Sequence, residues 1–265
     1  MNKANGPIVI KIGGSTLGDH DTTLKDLASL QKEGYPIVIV HGGGKVISQW
    51  MERQGVLPRF VRGNRVTDSQ SLDIVTAVLT GLINKQLVAS LLSLKAKVIG
   101  ISGVDGGILK CKLSETSELG LVGEVISVDP MALETLMSKG FMPLMAPIGF
   151  HSIDDSKLSG SLLNINGDSV TGDVARSLNA SRLIFLTDVA GVMDNSGRLI
   201  PRLSKRQARM LIESGVVKGG MIPKLEACLK ASQSLSHANI IDGRAQGALR
   251  QCIEGITLGT RIELN

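Results

Sequence analysis

Aromatic residues are scarce in this chain: one Trp, one Tyr and four Phe among 265 residues. Proteins that hold single-stranded nucleic acid stack bases on aromatic rings, and six rings spread over the sequence do not make such a platform. A block of like charge is also missing. The 29 basic residues are interleaved with 24 acidic ones, so the net charge of +5 is not gathered into a surface that tracks a phosphodiester backbone. That charge suits a small anionic substrate better than a polymer. The three cysteines, Cys111, Cys228 and Cys252, are far apart and show no CxxC spacing, which argues against a disulfide framework or a cysteine zinc site and for reduced thiols. Gly, Asp and Lys break the apolar runs before any reaches the length of a membrane span. The first apolar stretch is interrupted by Lys11 and ended by a glycine pair, too brief for a secretory signal. The chain reads as cytoplasmic, with neither nucleic acid nor membrane as partner.

Short β-branched runs alternate with helix-periodic stretches. Strands are expected at Pro7–Ile12, Ile37–Val40, Lys97–Ile101, Met142–Ala146, Arg182–Thr187 and Ile240–Ile241, and helices at Thr22–Glu33, Val46–Arg53 and Ser204–Ser214. Runs such as IVIKI and IVIV are apolar throughout, as strands buried on both faces are. The order predicts an α/β fold with an open, mainly parallel sheet covered by helices on both faces, and the length is compatible with one domain over 1–265. Within Ser69–Leu94, apolar residues recur mostly every three or four positions, which predicts a core helix, with a subunit interface as the second reading. Between Gly106 and Asp129 the pattern shortens to alternating pieces and predicts one or two antiparallel hairpins. The closing TRIELN reads as an edge strand.

Five clusters could carry chemistry. Lys11 and the Gly13–Gly14 pair follow the first strand, at the sheet end where α/β folds bind ligands; a tight turn with a surface lysine explains them equally well. His41-Gly42-Gly43-Gly44-Lys45 follows the second strand and opens a helix, which makes an amide-lined anion pocket at a positive dipole end. His41 is open to a structural or a functional reading. Neither glycine cluster fits GxxxxGK[ST] or GxGxxG. Arg65, in a turn before the long helix, has the fork that grips a carboxylate, although an ordinary helix cap by Thr67 or Asp68 with solvated arginines also fits. Asn164 and Asn166 share a face of an extended segment that leads to Asp168, either a helix cap or a carboxylate that holds two lysines. Last, Asp188-Val189-Ala190-Gly191-Val192-Met193 follows an apolar strand, and Lys224 follows Gly219-Gly220 and Pro223 at a helix start. A cation there is unfavourable unless an anion is near.

Taken in order, KIGGS, VHGGGK, NRVTD, NINGD, LTDVAGV and GGMIPK resemble the amino acid kinase family, and within it the set is most similar to the acetylglutamate kinases, over nearly the whole chain. The resemblance implies a three-layer αβα sandwich with an acyl-substrate lobe at 1–180 and an ATP lobe at 181–265. It implies phosphorylation of the side-chain carboxylate of N-acetyl-L-glutamate by ATP, in arginine biosynthesis. Lys11 and Lys224 would stabilise the transferring phosphoryl group, Asp168 would organise them, and Gly14 would hold phosphoryl oxygens. Gly43, Gly44, Arg65, Asn164 and Asn166 would bind the acyl substrate. Asp188 to Met193 and Val216, Val217 and Lys218 would bind the nucleotide. Mg²⁺ would be held mainly through ATP, since no residue set reads as a protein metal cage. Few residues precede the first strand, which suggests a homodimer insensitive to arginine. A carrier-protein-linked aminoadipate or glutamate kinase, which the Arg59, Arg62 and Arg65 cluster would suit, and a non-catalytic sensor of the same fold are the alternatives.

Overall fold

The computed structural model describes residues 6–13, 22–153, 157–233 and 235–264. Strand β1 (Ile8–Ile12) and helix α1 (Thr23–Lys32) are followed by β2 (Ile37–His41), α2 (Gly44–Arg53) and a small hairpin, β3 (Phe60–Val61) and β4 (Asn64–Arg65). A long helical stretch comes next, made of α3 (Ser69–Thr76), a π-helical segment (Ala77–Ile83) and α4 (Asn84–Ser93). Then come β5 (Val98–Ser102), β6 (Leu109–Leu113), β7 (Val122–Val128), α5 (Met131–Ser138), β8 (Met142–Ala146), β9 (Ile148–His151) and β10 (Leu162–Ile165). The chain continues with α6 (Gly167–Ser177), β11 (Arg182–Thr187), β12 (Arg202–Ser204), α7 (Lys205–Glu213), α8 (Met221–Lys230), β13 (His237–Asp242), α9 (Ala248–Ile253) and β14 (Thr260–Glu263).

Among the described residues eight strands form one sheet in the order β12-β14-β13-β11-β1-β2-β8-β5. Every neighbouring pair is parallel except β13 with β14. Side chains alternate across a strand, so β1 feeds two cores: Ile8, Ile10 and Ile12 pack with α1, α3, α4 and α9, and Val9 packs with α5, α6, α7 and α8. This is the expected sandwich. Lys11 shares Val9's side, which decides where its ammonium goes. β6, β7, β9 and β10 close into a small barrel with β6 and β7 antiparallel, the hairpin expected between Gly106 and Asp129.

Three expectations change. TRIELN is not an edge strand: β14 lies between β13 and β12, and the edge is Arg202–Ser204, too short to show alternation. The stretch Ser69–Ser93 is, by length and composition, apolar enough to cross a membrane. Its Val75, Leu79, Ile83, Leu87 and Leu91 are buried in the core under the sheet, and a fully buried leucine such as Leu91 contributes roughly 1.5–3 kcal/mol. The same stretch is not one uniform α-helix, because the seven residues Ala77–Ile83 are wound as a π-helix.

Candidate active site

Lys11 is the next-to-last residue of β1, at the carboxyl end of the sheet and on the α6 and α8 side. At the start of α6, Asn166 is the cap: its Oδ1 accepts from the N–H of Asp168 at 2.9 Å and of Ser169 at 3.3 Å. Asp168 is thereby freed from capping and turns inward. Helix α8 starts after Gly220, with Pro223 in the first turn, where its missing N–H costs nothing. Lys224 comes one turn in. Its Nζ donates to Asp168 Oδ2 at 3.0 Å and to Gly220 O at 3.2 Å, which leaves the third ammonium hydrogen for a ligand. Lys11 Nζ lies 3.0 Å from Asp168 Oδ1. That contact is an ion pair rather than an aligned hydrogen bond, since Oδ1 receives no well-directed N–H.

All three side chains are nearly closed off, with Lys11 9 %, Asp168 7 % and Lys224 9 % exposed. Burial pushes the Asp168 carboxyl up, but Lys11 and Lys224 outweigh it and hold the group below 3.8. Burial pulls the Lys11 ammonium below 10.5, Lys224 adds to this, and Asp168 opposes it. Two ammonium groups against one carboxylate leave an excess positive charge at the amino ends of α6 and α8, where helix dipoles also favour anions. A buried excess of charge is costly until a ligand of opposite sign arrives.

Cavities flank this clasp. One of about 280 Å³ is lined by Lys11, Gly43, Gly44, Arg65, Asn164, Asn166 and Asp168. Another of about 380 Å³ is lined by Asp188, Val189, Gly191, Met193, Val216, Val217, Lys218 and Lys224. The clasp therefore joins them. A wider cleft of about 870 Å³ runs between the barrel and α8 and shares Asn166 with the first cavity and Gly220 with the second.

In the first cavity Arg65 is buried, with 7 % of its surface exposed. Its Nη2 donates to Gly44 O and Ser48 Oγ, each at 2.9 Å, its Nη1 faces Met51 Sδ, and Phe60 stacks on the guanidinium at 4.7 Å. All these neighbours are uncharged, and burial alone weakens its hold on the proton. A buried guanidinium among neutral partners is built to receive a carboxylate. The glycine loop beside it is shaped by packing: a Cβ on Gly43 would collide with Ile83 Cδ1 and lie 2.9 Å from Leu79 Cδ2, while Gly44 has open space. His41 is structural. Its Nδ1–H donates to Gly42 O at 3.1 Å and its Nε2 accepts from Asn84 Nδ2 at 3.1 Å, a pattern that assigns the neutral tautomer. Burial pushes this imidazole down to about 4, so it stays neutral where the clasp is ionised.

A model of the amino acid kinase family matches residues 6–242. The chain belongs to this family. It is 44% identical to an acetylglutamate kinase of Dehalococcoides mccartyi (strain CBDB1) over 253 residues, covering 95% of this chain and 93% of that protein. An acetylglutamate kinase of Geotalea daltonii (strain DSM 22248 / JCM 15807 / FRC-32) is 40% identical over 272 residues, covering 97% and 91%. Among solved structures, smu.665 from Streptococcus mutans UA159 superposes with a TM-score of 0.82 at 27% identity, covering 98% of this chain and 99% of that one. A carbamate kinase from Giardia lamblia bound to AMP-PNP shares the fold, with a TM-score of 0.70 at 17% identity, covering 98% and 99%.

In this amino acid kinase the residues singled out in the sequence converge, with qualifications. Gly14 lies outside the described residues. Asn164 donates to Thr67 Oγ1 at 3.0 Å, and Asn166, with its oxygen on α6, donates to Asn64 Oδ1 at 3.0 Å; both amides line the cavity while tying the Asn64–Thr67 turn to the barrel. Ala190 and Val192 are absent from the lining of the second cavity. Val192 points into the core, its N–H bonded to Thr260 Oγ1 at 2.8 Å. Sequence reasoning missed Ser48 and Phe60, which hold Arg65, and Thr187 and Met221, which line the second cavity. Ser48 had a signal, since it is one helical turn beyond Gly44.

Proposed function

We propose that the chain transfers the γ-phosphoryl group of ATP to the side-chain carboxylate of N-acetyl-L-glutamate, the first acylated intermediate of arginine biosynthesis to be activated as an acyl phosphate. The observation that carries this reading is the buried Lys11–Asp168–Lys224 clasp between two cavities. The acyl substrate takes the cavity built by residues 1–180, its other carboxylate on Arg65 and its acyl end between Asn164 and Gly43–Gly44. ATP takes the cavity built by 181–265, along Asp188–Met193 and Val216–Lys218. The substrate side chain, with a pKa of about 4.3, is already an anion at neutral pH and needs no general base. Its oxygen forms the new bond to phosphorus as the bond from phosphorus to the ADP oxygen breaks in line. The protein's work is alignment and charge neutralisation, the latter by Lys11 and Lys224 on the moving phosphoryl oxygens.

Mg²⁺, when bound with the nucleotide, neutralises phosphate charge. Asp188 supplies a carboxylate to the lining of that cavity, and one carboxylate with phosphates and waters is a usual magnesium environment. A homodimer is supported by the half-exposed Leu92 on α4 and the exposed Leu57 beyond α2. A cytoplasmic location fits an enzyme of amino acid biosynthesis that draws on the ATP pool.

The test is ATP turnover with Mg²⁺, with the acyl phosphate trapped by hydroxylamine, for N-acetyl-L-glutamate beside glutamate and N-acetyl-aminoadipate. Product from N-acetyl-L-glutamate is expected. Silence with every free amino acid would overturn the reading in favour of a protein-borne substrate or a sensor. A second expectation concerns Arg65→Ala: KM for the acyl substrate rises by 10-fold or more, on the order of a lost charged hydrogen-bond pair, with KM for ATP unchanged and kcat less affected. Saturation curves for both substrates report this directly, and equal rises in both KM values would place Arg65 elsewhere.

A further inference from the structure

Helices α6 and α8 pack side by side, and their contact has three levels. At the amino ends Asp168 meets Lys224 at 3.0 Å. Next comes a close approach of backbones: a Cβ on Gly172 would lie 2.8 Å from Ala227 O and 3.0 Å from Ala227 Cα. Farther along, Lys230 Nζ donates to Asp173 Oδ2 at 2.8 Å, and Arg176 Nη2 lies 3.4 Å from Asp173 Oδ1. The order 168, 172, 173 against 224, 227, 230 means that the helices run parallel, with a second acid–lysine pair past the first. The Asp173 side chain is 1 % exposed and that of Lys230 is 41 % exposed.

Asp173 lines none of the three cavities, and Lys230 lines only the wide cleft. Neither touches a ligand position in the reading above. As a source of stability alone, a buried carboxylate is a poor choice, since an apolar side chain of similar volume does as well or better. What an ion pair does well is fix register. A helix rises about 1.5 Å per residue, so sliding α8 by one residue along α6 would carry the Lys224 ammonium out of contact with Asp168. The Gly172–Ala227 contact fixes the separation of the helices and leaves sliding as the free coordinate. The second pair removes that freedom.

We propose that Asp173 and Lys230 are positioning residues that, with the Gly172–Ala227 contact, lock α8 in register on α6 and so hold Lys224 against Asp168 during phosphoryl transfer. This rests on the reading of Lys224 and Asp168 as groups that face the phosphoryl group. The test compares kcat and both KM values for the full-length wild type, Lys230→Met, Lys230→Arg, Asp173→Asn and the double variant Asp173→Asn/Lys230→Met. Lys230→Met should lose kcat by between tenfold and on the order of 10²-fold, the range that a misplacement of about 1 Å produces, with both KM values nearly unchanged. Lys230→Arg should recover most of it, and the double variant should be no worse than Asp173→Asn, because the two residues act as one unit. If Asp173→Asn does not fold, the half-exposed Lys230 position carries the test. Wild-type kcat in folded Lys230→Met, or no recovery in Lys230→Arg, would overturn the proposal. An inactive wild type would instead count against the underlying activity, so the two failures are distinguishable.

Discussion

Lys224→Ala is expected to lower kcat by about 10²–10³-fold, the usual loss when one aligned donor to a developing charge is removed. The argument is geometric. Lys224 spends two hydrogens on Asp168 Oδ2 and Gly220 O and has one left for the phosphoryl oxygens, whose charge is redistributed only in the transition state. An interaction that strengthens there raises kcat more than it tightens substrate binding, so KM for ATP should change by much less than kcat. Lys11→Ala should show the same pattern from the acyl side. Steady-state kinetics on the purified variants, with circular dichroism to confirm folding, decides the matter. Near-wild-type kcat in either variant would remove that lysine from the chemistry.

Asp168→Ala should damage both stability and turnover. The carboxylate lies between two buried ammonium groups, and its removal leaves like charges facing each other with nothing between them. Breaking a buried pair in this way costs about 3–5 kcal/mol, to be read as a fall in the denaturation midpoint. The effect depends on pH with a fixed sign. Because the folded value of Asp168 lies below 3.8, its contribution is present above pH 3.8 and is lost as pH falls through the folded value. The gap between wild type and variant should therefore be full at neutral pH and close in acid. Turnover should respond at the other end of the scale. Lys11 is already below 10.5, with Asp168 the main group opposing that fall, so the variant's alkaline loss of kcat should begin at lower pH than the wild type's. A stability gap that persists unchanged in acid would contradict this account of the clasp.

Much of this was legible before the fold because the site is built from local rules. A lysine after three apolar residues of a buried strand has one face to point to, and Gly, Pro and Asn around Asp168 and Lys224 mark the helix starts that aim them. What was not legible is what depends on packing between distant segments. Asn166, rather than Asp168, caps α6, and the sequence offers both residues two positions apart. Ser48 and Phe60 come to Arg65 through the folding of a hairpin with strands of two residues, too short to leave a period. Val192 looked like one more member of a glycine-bearing binding loop, yet Thr260, 68 residues away, draws it into the core. The closing strand was found, but its neighbour β12 was not, so its place in the sheet was misread.

The π-helical segment has a consequence for how this chain can vary in length. Val75, Leu79, Ile83, Leu87 and Leu91 are all buried at a strict spacing of four, which in an unbroken α-helix would drift by about 40° at each step; the wider turn of Ala77–Ile83 takes up that drift. Losing one residue there would restore ordinary winding and turn everything after it by roughly 100°, swinging Asn84 away from His41 and from Leu144 O, which it bonds at 3.1 and 2.9 Å. Leu79 and Ile83 would leave Gly43 at the same time. Alignments of relatives that keep the glycine loop should therefore place their gaps in the surface turns and not within residues 77–84.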